Sequence, residues 1–147
     1  MQLSDHFSLS ELTVSANAAR LGLSNDPPPE ILERLKIVAA HMELVRTALG
    51  GKPIRVTSCY RSPAVNRAAG GAKASAHMGG WAVDFQCPSF GTPIEVAVRL
   101  AKSGLTYDQL IHEHGTWVHI SFDPRSRGQK LTIDALGTRV GLLPARH

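Results

Sequence analysis

Apolar residues recur at steps of three and four between residues 31 and 49. This spacing predicts an amphipathic helix, because positions three and four apart lie on the same side of an α-helix. Three consecutive prolines after Asp26 predict its beginning, and Gly50 with Gly51 predicts its end. We expect its apolar face to be the scaffold on which a sheet packs. The apolar positions are Ile31, Leu35, Val38, Met42, Val45 and Leu49.

Four segments further along the chain predict β-strands. Residues 54–58 alternate apolar and polar side chains, as a half-buried strand does, and residues 81–85 form a second strand. Residues 107–112 and 117–122 form two more strands, which a hairpin turn at residues 114–116 joins.

Capping signals predict three shorter helices. Two begin with a capping box, in which Ser or Thr is followed three residues later by Glu, and one begins with Ser-Pro. These helices are expected to start near Ser8, Ser62 and Thr92, and residues 70–73 are expected to form a loop. The order of the elements indicates an α+β fold with a small, mostly antiparallel sheet flanked by helices.

The net charge of +4 is concentrated at the C-terminal end of the chain. Residues 1–124 hold eleven Lys or Arg and eleven Asp or Glu, whereas the remainder holds five Lys or Arg and one Asp. Such a segment either docks on an anionic polymer or membrane face, or is a solvated tail. It contains no aromatic residue, so we expect no binding to nucleic acid. The length of 147 residues suits one domain, residues 1–147, with a basic tail from about residue 125.

The sequence also bears on cellular location and redox state. No apolar run approaches the roughly 20 residues of a membrane span, so we expect no transmembrane segment. The first residues lack the basic and apolar stretches of a signal peptide, so synthesis in the cytoplasm is expected. Cys59 and Cys87 are too few for a disulfide framework, and buried free thiols are expected, with their pairing left open.

Two histidines and one aspartate lie within or beside apolar strand segments. His77 precedes the strand that contains Asp84, and His119 lies between two apolar residues of the last strand. A carboxylate in an apolar strand needs a partner, and a metal ion suits it. Two imidazoles and one carboxylate form the ligand set of a catalytic zinc site, because three protein ligands leave a fourth position open. Each residue alone is more often a hydrogen-bonded core residue, so this hypothesis depends on their convergence.

The same residues carry motifs that resemble those of the zinc D-alanyl-D-alanine peptidases. This family includes D,D-carboxypeptidases, vancomycin-resistance D,D-peptidases and phage endolysins, and it shares a fold with the hedgehog signalling domain. The pattern Ser-x-His-x-x-Gly-x-Ala-x-Asp occupies residues 75–84, and Trp-x-His occupies residues 117–119. Residues 58–63, Ser-Cys-Tyr-Arg-Ser-Pro, resemble the Ser-Gly-Tyr-Arg-Ser motif of the family. The resemblance covers the chain from about Phe7 to Phe122.

The resemblance implies a set of roles for these residues. His77, Asp84 and His119 are implied as ligands of Zn²⁺. Arg61 is implied to polarise the scissile carbonyl or hold the substrate, and Ser75 to hydrogen-bond the substrate peptide. The implied activity is that of a zinc metallopeptidase, a D,D- or L,D-carboxypeptidase or endopeptidase. We expect the protein to be a monomer. Its substrate would be a D-amino-acid-containing stem peptide or cross-link of bacterial peptidoglycan.

The general base is the role for which the chain departs from the family. Many members carry Glu three residues before the last histidine ligand and others carry His two residues before it, but these positions are Thr116 and Trp117 here. Glu113 is the best candidate, because a tight hairpin can bring it opposite the last strand. If Glu113 pointed away, either His112 or His114 would approach the site.

Two functions therefore remain open. The first is a peptidase, and the absence of a signal peptide suits a phage or prophage endolysin that reaches the cell wall or periplasm through a membrane lesion. The second is a catalytically inactive zinc-binding module in the cell wall or in phage assembly, as the hedgehog relatives suggest. The position of the general base distinguishes the two. The intact ligand set disfavours a metal-free structural domain.

Overall fold

The computed structural model of the protein describes residues 1–71 and 75–147, so part of the loop predicted at residues 70–73 lies outside the described residues. The helices of the described chain are α1 (Leu9–Leu12), α2 (Ala16–Leu21), α3 (Pro29–Ala48), α4 (Pro63–Ala68) and α5 (Pro93–Ala101). The strands are β1 (Arg55–Ser58), β2 (Ala82–Gln86), β3 (Gln109–Glu113), β4 (Trp117–Ser121), β5 (Gln129–Asp134) and β6 (Gly137–Val140). None of the helices in these two stretches has the length and apolarity that crossing a membrane requires.

The six strands form one sheet in the order β1-β2-β4-β3-β5-β6. Neighbouring strands run antiparallel, except for the parallel pair β3 and β5. The predicted α+β fold with a mostly antiparallel sheet is therefore confirmed. Strands β1 to β4 and helices α1, α3, α4 and α5 lie where the sequence predicts them, whereas α2, β5 and β6 were not predicted.

Helix α3 supplies one side of the hydrophobic core. Its predicted apolar positions are all buried, and they belong to the same cluster as Val83, Phe85 and Val118 of the sheet. Burying one such side chain contributes roughly 1.5–3 kcal/mol. Contact with the helix also explains Gly80, which has a φ of 74° and whose Cβ, if present, would lie 3.2 Å from Ile31 Cγ2. The packing of α3 thus fixes both β2 and the turn before it.

The register of the sheet decides which side chains share a face. His119 in β4 is paired with Asp84 in β2 on one side and with Ile111 in β3 on the other. In the same way, Glu113 in β3 is paired with Trp117 in β4. Because side chains alternate along a strand, all five residues lie on one face of the sheet, opposite the face packed against α3.

The segment predicted as a basic tail is folded, because it contains β5 and β6. Its basic side chains form contacts within the chain, although those of Arg125, Arg127 and Lys130 remain exposed. Lys130 lies 5.7 Å from the centre of the Tyr107 ring, at the distance of a cation–π contact. The sequence could not reveal these pairings, because two of the three acidic partners lie before the segment. The ion pairs join Arg125 to Asp108 and Asp123, Arg127 to Asp108, and Arg139 and Arg146 to Asp134.

We predict that Asp134→Asn lowers the melting temperature at neutral pH. The Asp134 side chain is fully buried, and hydrogen bonds from Arg146 outweigh the effect of burial and hold the pKa of its carboxyl well below the usual range. A depressed folded-state pKa contributes stability above the unfolded value of about 3.9, and this stability is lost as the pH falls through the folded value. The difference from wild type should therefore shrink in acid.

Thermal unfolding of both proteins, followed by circular dichroism from neutral pH to about pH 3, measures this difference. The control is Glu33→Gln, which removes an exposed pair with Lys36 and should change the melting temperature little. A difference that stays constant over the whole pH range would show that the charge of Asp134 is not what stabilises the fold.

Candidate metal centre

Asp84 and His119 meet because β2 and β4 are adjacent strands in a fixed register. The two residues are Cα partners, and His119 Nδ1 lies 2.9 Å from Asp84 Oδ1. Both side chains are about nine-tenths buried, although they lie on the face away from α3. Sheet pairing alone therefore brings together two of the three predicted ligands.

His77 reaches the same place from the turn that precedes β2. The backbone of this turn is tied down by hydrogen bonds from the Arg61 N–H and the Gly80 N–H to the His77 carbonyl. The imidazole Nδ1 lies 2.7 Å from the carbonyl oxygen of Cys59, and Nε2 lies 3.2 Å from Asp84 Oδ2. The Cys59 carbonyl was not predicted as part of the site, because a sequence motif reveals side chains and not backbone contacts.

The three predicted ligands form one compact group. One ligand atom of each of His77, Asp84 and His119 lies within 4.8 Å of the other two. Around a tetrahedral zinc with bonds of about 2.0–2.1 Å, ligand atoms are about 3.3 Å apart. The observed separations of 3.2 Å and 2.9 Å from the Asp84 oxygens are close to this value. The donor set and its spacing therefore fit zinc.

The hydrogen-bonding capacity of His77 also indicates a cation. Both ring nitrogens face oxygen acceptors, the Cys59 carbonyl and the Asp84 carboxylate. A neutral imidazole carries a single N–H, so it can donate to one of these acceptors and not to both. With Nδ1–H donating to Cys59, the lone pair of Nε2 faces a carboxylate, and a bound cation removes this repulsion. Histidine ligands of metals commonly donate their second N–H to a backbone carbonyl in this way.

Asp84 is held in its ionised form. Burial alone would raise the pKa of its carboxyl, but the nearby imidazoles of His119 and His77 outweigh burial and hold the pKa well below the usual range. A carboxylate that is ionised at neutral pH can bind a metal without first losing a proton.

Glu113 faces the same group of residues. Its Oε1 lies 3.6 Å from His119 Nδ1, and its side chain is 17% exposed. Burial raises the pKa of the Glu113 carboxyl, the charge of His119 opposes this, and repulsion from Asp84 adds to it. A carboxyl with a raised pKa beside a metal site is suited to accept and release protons.

The two histidines that flank Glu113 do not join the group. His112 lies on the opposite face of the sheet, and its Nδ1 is 2.9 Å from the Leu143 carbonyl oxygen. His114 is exposed in the three-residue turn between β3 and β4, where it and Gly115 both have positive φ. The turn therefore directs the side chain of Glu113 toward the site, instead of either histidine.

Arg61 and Ser75 lie beside the group. Burial lowers the pKa of Arg61, the charges of Asp84 and Glu113 oppose this, and a guanidinium remains protonated at neutral pH. Arg61 Nε is buried and has no hydrogen-bond partner among the described residues. Ser75 Oγ accepts a hydrogen bond from the His77 N–H at 3.2 Å, which leaves its own proton free to donate.

An open cleft adjoins Asp84 and has a volume of about 280 Å³. One wall comes from the segment that joins α1 to α2, which was not predicted to contribute to the site because six-residue α2 has no strong sequence signal. The cleft is lined by residues 14–17, Thr57, Ser58, Arg61, Ala69, Asp84 and Trp117.

The two cysteines are buried free thiols, as expected. Burial raises the pKa of the Cys59 thiol, and the nearby charge of Asp84 adds to this. The thiol therefore stays protonated, which disfavours it as a metal ligand or nucleophile. Cys87 donates a hydrogen bond to the Pro53 carbonyl, at 3.3 Å.

The comparison with protein families agrees with the resemblance of the motifs. A family model described as Peptidase M15 matches residues 5–121, from before α1 to the end of β4. The matched region contains the three candidate ligands and Glu113, whereas β5 and β6 follow it. A search of the curated proteins finds no match.

We predict that the protein binds one zinc ion per chain and that His77→Ala does not retain it. Loss of one of three ligands leaves too few donors for a stable site. Metal analysis of the purified proteins measures the zinc content. The control is His114→Ala, which removes an exposed imidazole outside the group and should leave the zinc content unchanged. Full zinc occupancy in His77→Ala would contradict the assignment of this ligand.

Proposed function

The chain belongs to the M15 peptidases, a family of zinc metallopeptidases, and from this premise we propose that it hydrolyses peptide bonds in bacterial peptidoglycan. The bonds would lie in D-amino-acid-containing stem peptides or cross-links. The observation that carries the proposal is the approach of the Glu113 carboxylate to within 3.6 Å of His119 Nδ1. It supplies a candidate general base at a site whose other parts already match the family.

His77, Asp84 and His119 would hold the metal ion. When bound, zinc supplies a Lewis acid that makes water reactive at neutral pH by lowering the pKa of water from about 15.7 to about 7. The His77 Nδ1–H contact with the Cys59 carbonyl keeps Nε2 directed at the metal position. The rigid pairing of β2 with β4 keeps the Asp84 and His119 donors together before the metal arrives.

Glu113 would act as the general base and then as the general acid. It would take a proton from the attacking water as the oxygen adds to the carbonyl carbon, and give that proton to the leaving amine. Its burial supports this role, since a carboxyl with a raised pKa holds the proton more readily between the two transfers. A group with this position and protonation behaviour favours a peptidase over an inactive module of the same fold.

Arg61 and Ser75 would bind the substrate. The Arg61 guanidinium is a fixed donor beside Asp84, and it can stabilise either the developing oxyanion or a terminal carboxylate of the peptide. Ser75 would donate its hydroxyl proton to a peptide oxygen. The open cleft along the segment between α1 and α2 would accept the peptide chain on one side of the cleaved bond.

We further propose that the protein acts as a phage or prophage endolysin at the cell wall. The proposed specificity for cell-wall peptides supports this role. Mass spectrometry of the muropeptides released from defined peptidoglycan shows whether the protein is an endopeptidase or a carboxypeptidase. An endopeptidase converts cross-linked dimers to monomers, whereas a carboxypeptidase shortens stem peptides by their terminal residue.

We predict that Glu113→Gln retains zinc but loses about 10²–10⁴-fold in the rate of peptidoglycan cleavage, the usual contribution of general acid–base catalysis. The amide preserves the shape of the side chain but cannot take a proton. Muropeptide release and zinc content are measured on the same preparations. The control is Glu33→Gln, which makes the same chemical change on the exposed face of α3.

An unchanged rate in Glu113→Gln would move the general base to another group and leave the peptidase function standing. Absence of cleavage by the zinc-loaded wild-type protein on all peptidoglycan types would instead support the inactive binding module.

A further inference from the structure

The chain beyond the family match folds back onto the strand that carries Glu113. Without β5, β3 would be an edge strand, because the sheet order is β1-β2-β4-β3-β5-β6. Parallel pairing with β5 closes this edge, and Glu113 itself is paired with Ile133. The turn after β3 is held in the same way, since the His114 N–H donates to the Ile133 carbonyl at 2.7 Å.

The last residues add a second layer of contacts on this hairpin. His112 Nδ1 lies 2.9 Å from the Leu143 carbonyl oxygen, and His112 is only 3% exposed. A Cβ at Gly115 would lie 3.2 Å from Ala145 Cβ, so the chain terminus also packs against the turn. The Leu143 N–H in turn donates to Thr132 Oγ1 of β5, at 2.9 Å.

Buried charge fixes the same segment. Asp134 ends β5 and accepts hydrogen bonds from the Arg146 N–H and from Arg139 Nη2, at 2.9 Å and 2.8 Å. The stretch that contains Leu143 is therefore held at two points. The Leu143 N–H is bound to Thr132, and the Arg146 N–H is bound to Asp134. The Leu143 carbonyl is a rigid acceptor for His112, and not part of a loose terminus.

We infer that residues 122–147 position the general base, and that they do so through His112, which is the positioning residue. His112 directly precedes Glu113 in β3 and points to the opposite face. Fixing its imidazole on the Leu143 carbonyl limits the rotation and sliding of β3, and thereby fixes the direction in which Glu113 leaves the backbone. Displacing a catalytic group by about 1 Å can cost about 10²-fold in rate.

This inference rests on the proposed function, and it also explains a departure from the family. In the family pattern the base lies two or three residues before the last histidine ligand, at the positions of Trp117 and Thr116 here. Here it comes from β3, which β4 holds on one side and the added C-terminal segment holds on the other. A general base on β3 therefore needs the contacts of the C-terminal segment as well as those of β4.

The test compares two substitutions of His112 in the full-length, zinc-loaded protein. In His112→Phe the ring is kept and the donor is lost, so kcat should fall about 10- to 100-fold with KM and zinc content unchanged. His112→Asn keeps an N–H donor near the position of Nδ1 and should retain most of the wild-type kcat. Rates are measured well below the melting temperature of each variant, so that a loss of stability does not enter.

Hydrogen exchange gives a readout that is independent of activity. Amides of residues 109–116 should exchange faster in His112→Phe than in wild type, and at nearly the wild-type rate in His112→Asn. The matched control is His6→Phe, which changes an exposed histidine whose Nδ1 lies 2.7 Å from Glu43 Oε1 of α3, and it should alter neither kcat nor exchange in β3. If the phenylalanine cannot be accommodated, His112→Leu takes its place, because leucine has no hydrogen-bond donor and a volume close to that of histidine.

If the wild-type protein turns over substrate and His112→Phe has the same kcat, this inference is overturned and the proposed function is left intact. An equal fall of kcat in His112→Phe and His112→Asn would also overturn it, because the donated hydrogen bond would then not matter. Absence of turnover in the wild-type protein would overturn the proposed function and this inference together.

Discussion

The backbone hydrogen bonds between β2 and β4 pair Asp84 with His119, and the rest of the site is arranged around that pair. A buried carboxylate is costly unless it is paired, and here two imidazoles lie within 3.2 Å of its oxygens. The same register puts Glu113 one step along the sheet, through the pairing of β3 with β4. One ladder of main-chain bonds thus fixes the separation of the candidate ligands before any metal binds.

Two parts of the fold stabilise the paired strands β2, β4 and β3. Helix α3 packs on the far face of the sheet and on the turn at Gly80, so it fixes β2 and the approach of His77. The C-terminal strand β5 pairs with the edge of β3, so it supports the strand that carries Glu113. The three candidate ligands therefore depend on the hydrophobic core, whereas the candidate base depends on ion pairs and hydrogen bonds formed by a segment outside the family match.

The elements that the sequence predicted are those whose signal is local. The apolar spacing of α3, the capping boxes of α1 and α5, and the alternation in β1 each depend on residues a few positions apart. Strands β5 and β6 were missed because β5 buries polar Thr132 and Asp134 instead of its apolar positions, and because its stability comes from pairing with β3, which lies earlier in the chain. The sequence showed the charge of this segment, but not the ion pairs that it forms within the fold.

By itself, the sequence determined the family, the α+β class and the three side chains that can bind zinc, because ligand chemistry and motif spacing are properties of residue types. Only the tertiary structure decided how the candidate base meets them. Whether Glu113 or His112 faces the site depends on strand register, since a shift of one residue exchanges the two faces. That register is set by hairpin geometry at His114 and Gly115 and by the pairing of β3 with β5, which are contacts between distant parts of the chain.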